Sequence, residues 1–352
     1  MERKIRVLIV DDSALVRQVL AQGLALDPAL EVLPPAADPF EARDRIQAYQ
    51  PDVMTLDVEM PKMDGLKFLR RLMPQHPLPV VMVSSLTEKG KQVTLDCLEA
   101  GAVDFVHKPT TGLNGLNSML GELRAKVRIA STANVSHWKD RRDQLYAHFG
   151  RQPATSFPDA ARRLIAIGAS TGGTEAIKAV ITRLPADMPG IVIVQHMPAG
   201  FTKMFADRLN QLCAMSVKEA RTGDRVVPGQ VLIAPGGLQM RVARVDGQLI
   251  VNCNPGPTVS GHCPSVDVLL QSVARAAGAE ATGVVLTGMG ADGADGLLEM
   301  RRTGARTLAQ DEASSVVFGM PRVAYERGGA ERLLPIDQIG PALVRLAGEK
   351  RQ

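Results

Sequence analysis

Short, unbroken apolar runs recur along this chain, and each ends in residues that carry chemistry. Residues 5–10 lead into Asp11 and Asp12, 53–56 into Asp57, 80–83 into Ser84, and 103–106 towards Lys108. Further on, 164–167 leads into Gly168-Ala169-Ser170, 191–194 into Gln195-His196, and 283–286 into Thr287-Gly288. A strand apolar at successive positions is buried on both faces, as in a parallel sheet covered by helices. Helical patterns near 14–26, 39–49, 65–73 and 88–100 separate the first four runs, and Asp38 before Pro39 reads as a cap followed by a first-turn proline. The weak strand is the second, where Glu31-Val32-Leu33 meets Pro34-Pro35. Proline belongs at a sheet edge, and strand two is an edge in the order 2-1-3-4-5.

The pattern predicts an α/β chain of two doubly wound, mainly parallel-sheet domains. The first is flavodoxin-like and spans 1–127; the second is Rossmann-like and spans 159–352. Between 131 and 157 apolar periodicity is lost, so 128–158 reads as a linker, with a helical stretch around 138–149. With 45% apolar and 22% charged residues in 352, two ordinary cores can be built. The net charge of +4 is spread out and aromatics are only 3%, so base-stacking platforms, and with them a nucleic-acid partner, are not expected. The first apolar run is too short for a signal-peptide core or a membrane span, so membrane insertion is not expected. The four cysteines form no C-x-x-C pair, which predicts reduced thiols in a cytoplasmic protein.

Two sites follow from the strand ends. In the 2-1-3-4-5 order, strands one and three are neighbours at the switch point, which gathers Asp11, Asp12 and Asp57. Carboxylates in a group suit Mg²⁺, and a strand-end Ser84 and Lys108 complete a phosphoryl-transfer pocket in which Asp57 is the nucleophile. In the second domain, Gly168-Ala169-Ser170-Thr171-Gly172-Gly173 is a G-x-S-x-G turn between strand and helix. Such a turn exposes the serine hydroxyl at a helix N-terminus, and the Thr171 N–H is predicted to face a developing oxyanion. A dinucleotide-binding turn would want glycine at 170 and an acid after the next strand, which instead ends Gln195-His196. His196 is the expected base. Asp292, in the tight turn after 283–286, is chosen over Asp295 as the acid that orients it, with Asp295 left to the following helix start. His262 is given no catalytic role, although its Gly/Pro-rich loop can line the cleft.

V-D-D-S, L-D-V-E-M-P-x-M-D-G, V-S-S and K-P over residues 4–126 resemble the receiver domain of response regulators. G-A-S-T-G-G, Q-H-M-P, A-P-G-G, H-C-P-S-V-D, L-T-G-M-G-x-D-G and Q-D-E-A-S-S-V-V-F-G-M-P over 162–345 resemble the catalytic domain of chemotaxis protein-glutamate methylesterases. The first resemblance implies phosphorylation at Asp57, with Mg²⁺ held by Asp12, Asp57 and the Glu59 backbone carbonyl, and Asp11 acting partly through water. It also puts Phe105 at the family's switch-aromatic position; a plain core role accounts for that residue equally well. The second resemblance implies Ser170, His196 and Asp292 as the triad, with the Met289 N–H in the oxyanion hole and no metal needed there. Together they imply a phosphorylation-regulated serine hydrolase that removes γ-methyl esters from glutamates on chemoreceptor helices, releasing methanol. Receptor glutamine deamidation and a chemotaxis histidine kinase as phosphodonor are implied too. Three rivals remain: a DNA-binding response regulator, against which the strand-rich effector argues; a nucleotide-dependent oxidoreductase; and a hydrolase of the same fold acting on a non-receptor ester.

Overall fold

The computed structural model describes residues 3–85, 87–109, 112–139, 157 and 159–349. The chain divides into two compact units, 1–147 and 148–352.

The first unit alternates β1 (Ile5–Val10), α1 (Ala14–Ala25), β2 (Leu30–Val32), α2 (Pro39–Tyr49), β3 (Val53–Asp57), α3 (Gly65–Leu72), β4 (Val80–Ser84), α4 (Glu88–Glu99), β5 (Asp104–His107) and α5 (Gly112–Ala130). All five strands are parallel in the order β2-β1-β3-β4-β5, as the proline-limited second strand implied. Every residue of β3 and β4 is buried, which is why these segments carry no polar alternation. Helix starts are set by side-chain caps. Asp38 accepts the N–H groups of Phe40 and Glu41 at 2.9 Å, and Glu41 accepts the Ala37 N–H at 2.8 Å in return. Asp64 and Thr87 cap α3 and α4. Helix α5 runs three residues into the stretch expected to be linker, and Trp138 is buried beyond it. Trp138 lies against Gly101, where an added Cβ would come 3.0 Å from its ring atoms. The remainder of the expected linker, 140–156 and 158, and with it most of the helical stretch expected over 138–149, lies outside the described residues.

The second unit contains β6 (Leu164–Ala169), α6 (Gly173–Ile181), β7 (Gly190–Gln195), α7 (Phe201–Leu212), β8 (Ser216–Glu219), β9 (Gln230–Ile233), β10 (Gln239–Val245), β11 (Gln248–Asn254), α8 (Val266–Ala277), β12 (Ala281–Val285), α9 (Ala294–Arg302), β13 (Arg306–Gln310), α10 (Met320–Glu326), β14 (Arg332–Leu334) and α11 (Ile336–Gly348). Seven of its strands form a parallel sheet in the order β14-β13-β12-β6-β7-β9-β8. The other two, β10 and β11, form an antiparallel ribbon. Its inward residues Met240, Val242, Leu249 and Val251 join Leu269 and Val273 of α8 in one buried cluster. The sheet changes direction at β6: the chain proceeds to β7 on one side and returns to β12 on the other. The carboxyl ends of these three strands bound the crevice where a doubly wound sheet holds its ligand.

Candidate active site

The strand register brings the serine and histidine together. Ala169 pairs with Gln195, so Ser170 and His196 are the next residues on adjacent strand ends. The His196 N–H donates to the Ala169 carbonyl at 3.1 Å, and the Ser170 N–H donates to the Thr287 carbonyl beyond β12 at 3.0 Å. The elbow itself needs its glycines. Gly172 has φ +76, and a Cβ there would come 2.6 Å from the Val316 side chain. Gly173 leaves room for the Gln195 carboxamide, whose Oε1 would lie 2.1 Å from an added Cβ. Gln195 Nε2 donates to the Ser170 carbonyl at 2.9 Å, as does the Gly173 N–H at 2.7 Å.

His196 Nε2 lies 2.8 Å from Asp292 Oδ2, with the two side chains 6% and 1% exposed. Asp292 also accepts the Val266 N–H on Oδ2, and on Oδ1 the Ser265 hydroxyl and the Asp267 N–H, all within 2.8–2.9 Å. Burial alone would raise this carboxyl, but the hydrogen bond and charge of His196, with the Asp267 and Val266 amides, hold it below the usual range. An ionised Asp292 calls for the hydrogen on His196 Nε2, which leaves Nδ1 as the basic nitrogen. That Nδ1 is buried with no hydrogen-bond partner among the described residues. His196, His262 and Asp292 could in principle gather a metal. Asp292 is meanwhile engaged by the Ser265 hydroxyl, the Val266 and Asp267 amides and His196.

His262 does reach the cleft, and closely. Its ring is stacked on that of His196, with centroids 3.6 Å apart and planes 8° apart. The stack restrains rotation of the His196 ring. Asp295 stands apart from this cluster: it pairs with Arg327 in the first turn of α9 and is 60% exposed. Of the expected oxyanion donors, Thr171 is buried and Met289 is half exposed. The Gly288 N–H is taken by the Val317 carbonyl at 3.0 Å, so Met289 carries the next amide along. Ser265, Asp267, Gln195 and Thr287 were not among the expected site residues. Ser265 had a readable signal, since it precedes an apolar helical run and caps α8.

In the first unit, Val10 pairs with Leu56, which sets Asp11 and Asp57 side by side. Lys108 Nζ lies 2.9 Å from Asp11 Oδ2 and 2.8 Å from Asp57 Oδ2. Burial pushes Asp57 up to about 6 against the pull of Lys108. Burial would lower Lys108, but its contacts with Asp57 and Asp11 hold it raised. Asp11, Asp12 and Asp57 each offer an oxygen within 4.8 Å of the others. Hard oxygens at that spacing fit Mg²⁺. Ser84, one residue beyond the Asp57–Val83 pair at the end of β4, has its Oγ buried with no hydrogen-bond partner among the described residues. Phe105 is buried, with its ring edge-on to His107 at 5.1 Å.

A family profile described as CheB methylesterase matches residues 165–343, and one described as response regulator receiver domain matches residues 7–119. The chain is 64% identical over 352 residues to a protein-glutamate methylesterase/protein-glutamine glutaminase of Syntrophotalea carbinolica, with all of both chains covered. It is 55% identical over 348 residues to one of Syntrophomonas wolfei, with 99% of each chain covered. Among solved structures it is similar to the Thermotoga maritima CheB methylesterase catalytic domain, at 37% identity and a TM-score of 0.51, over 52% of this chain and 98% of that one. Full-length identity, the two profiles and the shared catalytic-domain fold agree: the chain belongs to the CheB methylesterase family, in the form that joins a response-regulator receiver to the catalytic domain.

Proposed function

We propose that Ser170, His196 and Asp292 hydrolyse glutamate γ-methyl esters on the cytoplasmic helices of chemoreceptors. The observation that carries this reading is the 2.8 Å His196–Asp292 contact, which leaves Nδ1 basic at the strand end beside Ser170. His196 Nδ1 takes the Ser170 proton as Oγ attacks the ester carbonyl. The Met289 and Thr171 N–H groups hold the resulting oxyanion. His196 returns the proton to the departing methoxide, giving methanol, and then activates the water that hydrolyses the glutamyl-enzyme. The same addition and collapse on a side-chain amide would release ammonia, which is the glutaminase half of the relatives' names.

The receiver is proposed to govern this activity through Asp57, which takes a phosphoryl group from a chemotaxis histidine kinase. Asp11, Asp12, Asp57 and the Glu59 carbonyl would hold Mg²⁺, which when bound neutralises charge on the phosphoryl oxygens. Lys108 supplies a second cation, and the buried Ser84 hydroxyl a further hydrogen bond. The proposed place of action is the cytoplasm. The described helices include none long and apolar enough to cross a membrane, and the four cysteines are unpaired.

The test is methanol release from methylated receptor. Ser170→Ala should retain its fold and lose turnover by a factor on the order of 10⁶. Release at the wild-type rate would remove Ser170 from the chemistry.

A further inference from the structure

The segment from Gln310 to Met320 is a motif of the sequence, yet the chemistry above gives it no task. Its atoms meet the end of β12 repeatedly. Gln310 Oε1 accepts the Thr287 N–H at 2.8 Å, and Gln310 Nε2 donates to the Ser314 carbonyl at 2.8 Å. The buried Thr287 hydroxyl accepts the Val317 N–H at 2.9 Å and lies 3.0 Å from the Thr171 carbonyl and 3.2 Å from that of Val317. The Gly288 carbonyl accepts two N–H groups, from Gly319 at 3.1 Å and from Met320 at 2.8 Å.

These last two bonds decide which way the next amide points. In a planar trans peptide the C=O and N–H are opposed. Donors on the Gly288 carbonyl therefore aim the Met289 N–H in the opposite direction, and turning that peptide over would break both bonds. The peptide stands beside the nucleophile, since a Cβ on Gly288 would lie 2.7 Å from Ser170 Cβ.

We infer that Gln310–Met320 is a positioning strap for the oxyanion hole, acting through the Gly288 carbonyl on the Met289 amide, with Gly319 as the residue on which the fit depends. The inference rests on the proposed reading of Ser170 as nucleophile and Met289 as oxyanion donor. Gly319 has φ −106, in the right-handed region open to other residues, so glycine is not required there for conformational freedom. It is required for close approach. An added Cβ would come 2.7 Å from the Gly288 oxygen and 3.1 Å from both Met289 Cα and Gly290 N. Alanine at 319 presses on the peptide that carries the oxyanion donor while leaving His196 and Asp292 untouched.

The full chain, treated with acetyl phosphate, supplies the test. Removing one oxyanion donor costs on the order of 10²–10³ in kcat, and displacing it should cost at least about tenfold. Gly319→Ala should therefore lower kcat by that amount with KM within about twofold of wild type. The second readout is inhibition by a helical peptide whose glutamyl γ-carboxyl is replaced by a boronic acid. Its tetrahedral adduct on Ser170 puts an oxygen in the hole, so its Ki should rise by the same factor as kcat falls. Thr287→Val removes the hydroxyl tie without adding volume and should give the same signature, while Thr287→Ser should restore kcat to within about threefold of wild type. This second pair decides the matter if Gly319→Ala does not fold. Wild-type kcat in both Gly319→Ala and Thr287→Val would overturn the strap. So would a raised KM with kcat retained, or a kcat loss unmatched in boronate affinity. Full activity in Ser170→Ala would instead remove the reading on which the strap depends.

Discussion

Asp292, in the glycine-rich turn, and Asp295, in the first turn of α9, are three residues apart, and their surroundings separate their roles. Asp292 is buried, accepts four hydrogen bonds and touches His196. Asp295 is exposed and pairs with Arg327 at the surface, a contact worth at most about 1 kcal/mol. Asp292→Asn places an amide where the carboxylate fixes the His196 tautomer and should reduce methanol release by roughly 10³-fold or more. Asp295→Asn should stay within about twofold of wild type. The two rates, compared at one substrate concentration, rank the residues, and the reverse order would transfer the orienting role to Asp295. The grouping of Ser170, His196 and Asp292 was legible in the sequence because the first two directly follow buried strands and the third lies in the tight turn after another, although any one of them alone would read as structural. Gln195, Thr287 and Ser265 were not, because what they do is set by partners 23 to 116 residues away, as in the Thr287 contacts with the Gln310 carboxamide and the Thr171 carbonyl. His262 was legible only as a cleft residue; that its ring stacks on His196 depends on how its loop folds back.

Helices α8 and α9 begin at the same place, and two carboxylates fill the gap between their ends. Asp267, in the first turn of α8, donates its N–H to Asp292 and accepts the Gly296 N–H of α9 at 2.8 Å. Burial pushes Asp267 up to about 6, with the Gly296 N–H pulling down and the Asp292 charge adding to the rise. A carboxyl raised above its unfolded value stabilises the fold in its protonated form. That contribution is complete below the unfolded value near 4 and is lost as pH rises through about 6, at about 1.4 kcal/mol per pH unit. Asparagine keeps an acceptor for Gly296 and cannot ionise. Asp267→Asn should therefore unfold at a higher temperature than wild type above pH 7, with the gap closing towards pH 4. A gap that does not change with pH would show that Asp267 ionisation is not coupled to stability. At this scale several strands, the buried β13 among them, went unread in the sequence. The β10–β11 ribbon went unread, although Asp246-Gly247, with φ of +49 and +76, is a two-residue hairpin signal. One face of the ribbon meets solvent, so its residues alternate and no continuous apolar run announces it. The short edge strands β8 and β14 escaped for the related reason that they bury little.

For the whole molecule, the division proposed from the sequence was a receiver over 1–127, a linker over 128–158 and a catalytic domain from 159. Loss of apolar periodicity marked the middle stretch but could not register a single buried tryptophan, Trp138, that belongs with the first unit. At the other end, Phe157 and Ala160 are buried, and the Arg163 guanidinium donates to the carbonyls of Leu346, Ala347 and Glu349, tying the start of β6 to the end of α11. A fragment of 157–352 keeps those ties. The similar Thermotoga maritima structure is a catalytic domain by itself, which supports the fragment's ability to fold alone. A receiver can control an enzyme only if phosphorylation favours one of two states that differ in activity, and a differential of a few kcal/mol is enough to move most of the population. The phosphoryl group at Asp57 would change the charge that Lys108 now balances, which is a local event of the required kind. Acetyl phosphate should therefore raise methanol release by the full chain and leave the 157–352 fragment unchanged. Asp57→Asn in the full chain should abolish the response while keeping the basal rate, and Lys108→Ala should reduce phosphorylation or uncouple it from release. If the receiver restrains the enzyme, the fragment's basal rate at matched concentration exceeds that of the untreated full chain. If the rates are equal and the phosphorylated full chain exceeds both, the receiver instead assists catalysis or substrate capture. A full chain indifferent to acetyl phosphate, despite labelling at Asp57, would break the link between the two units altogether.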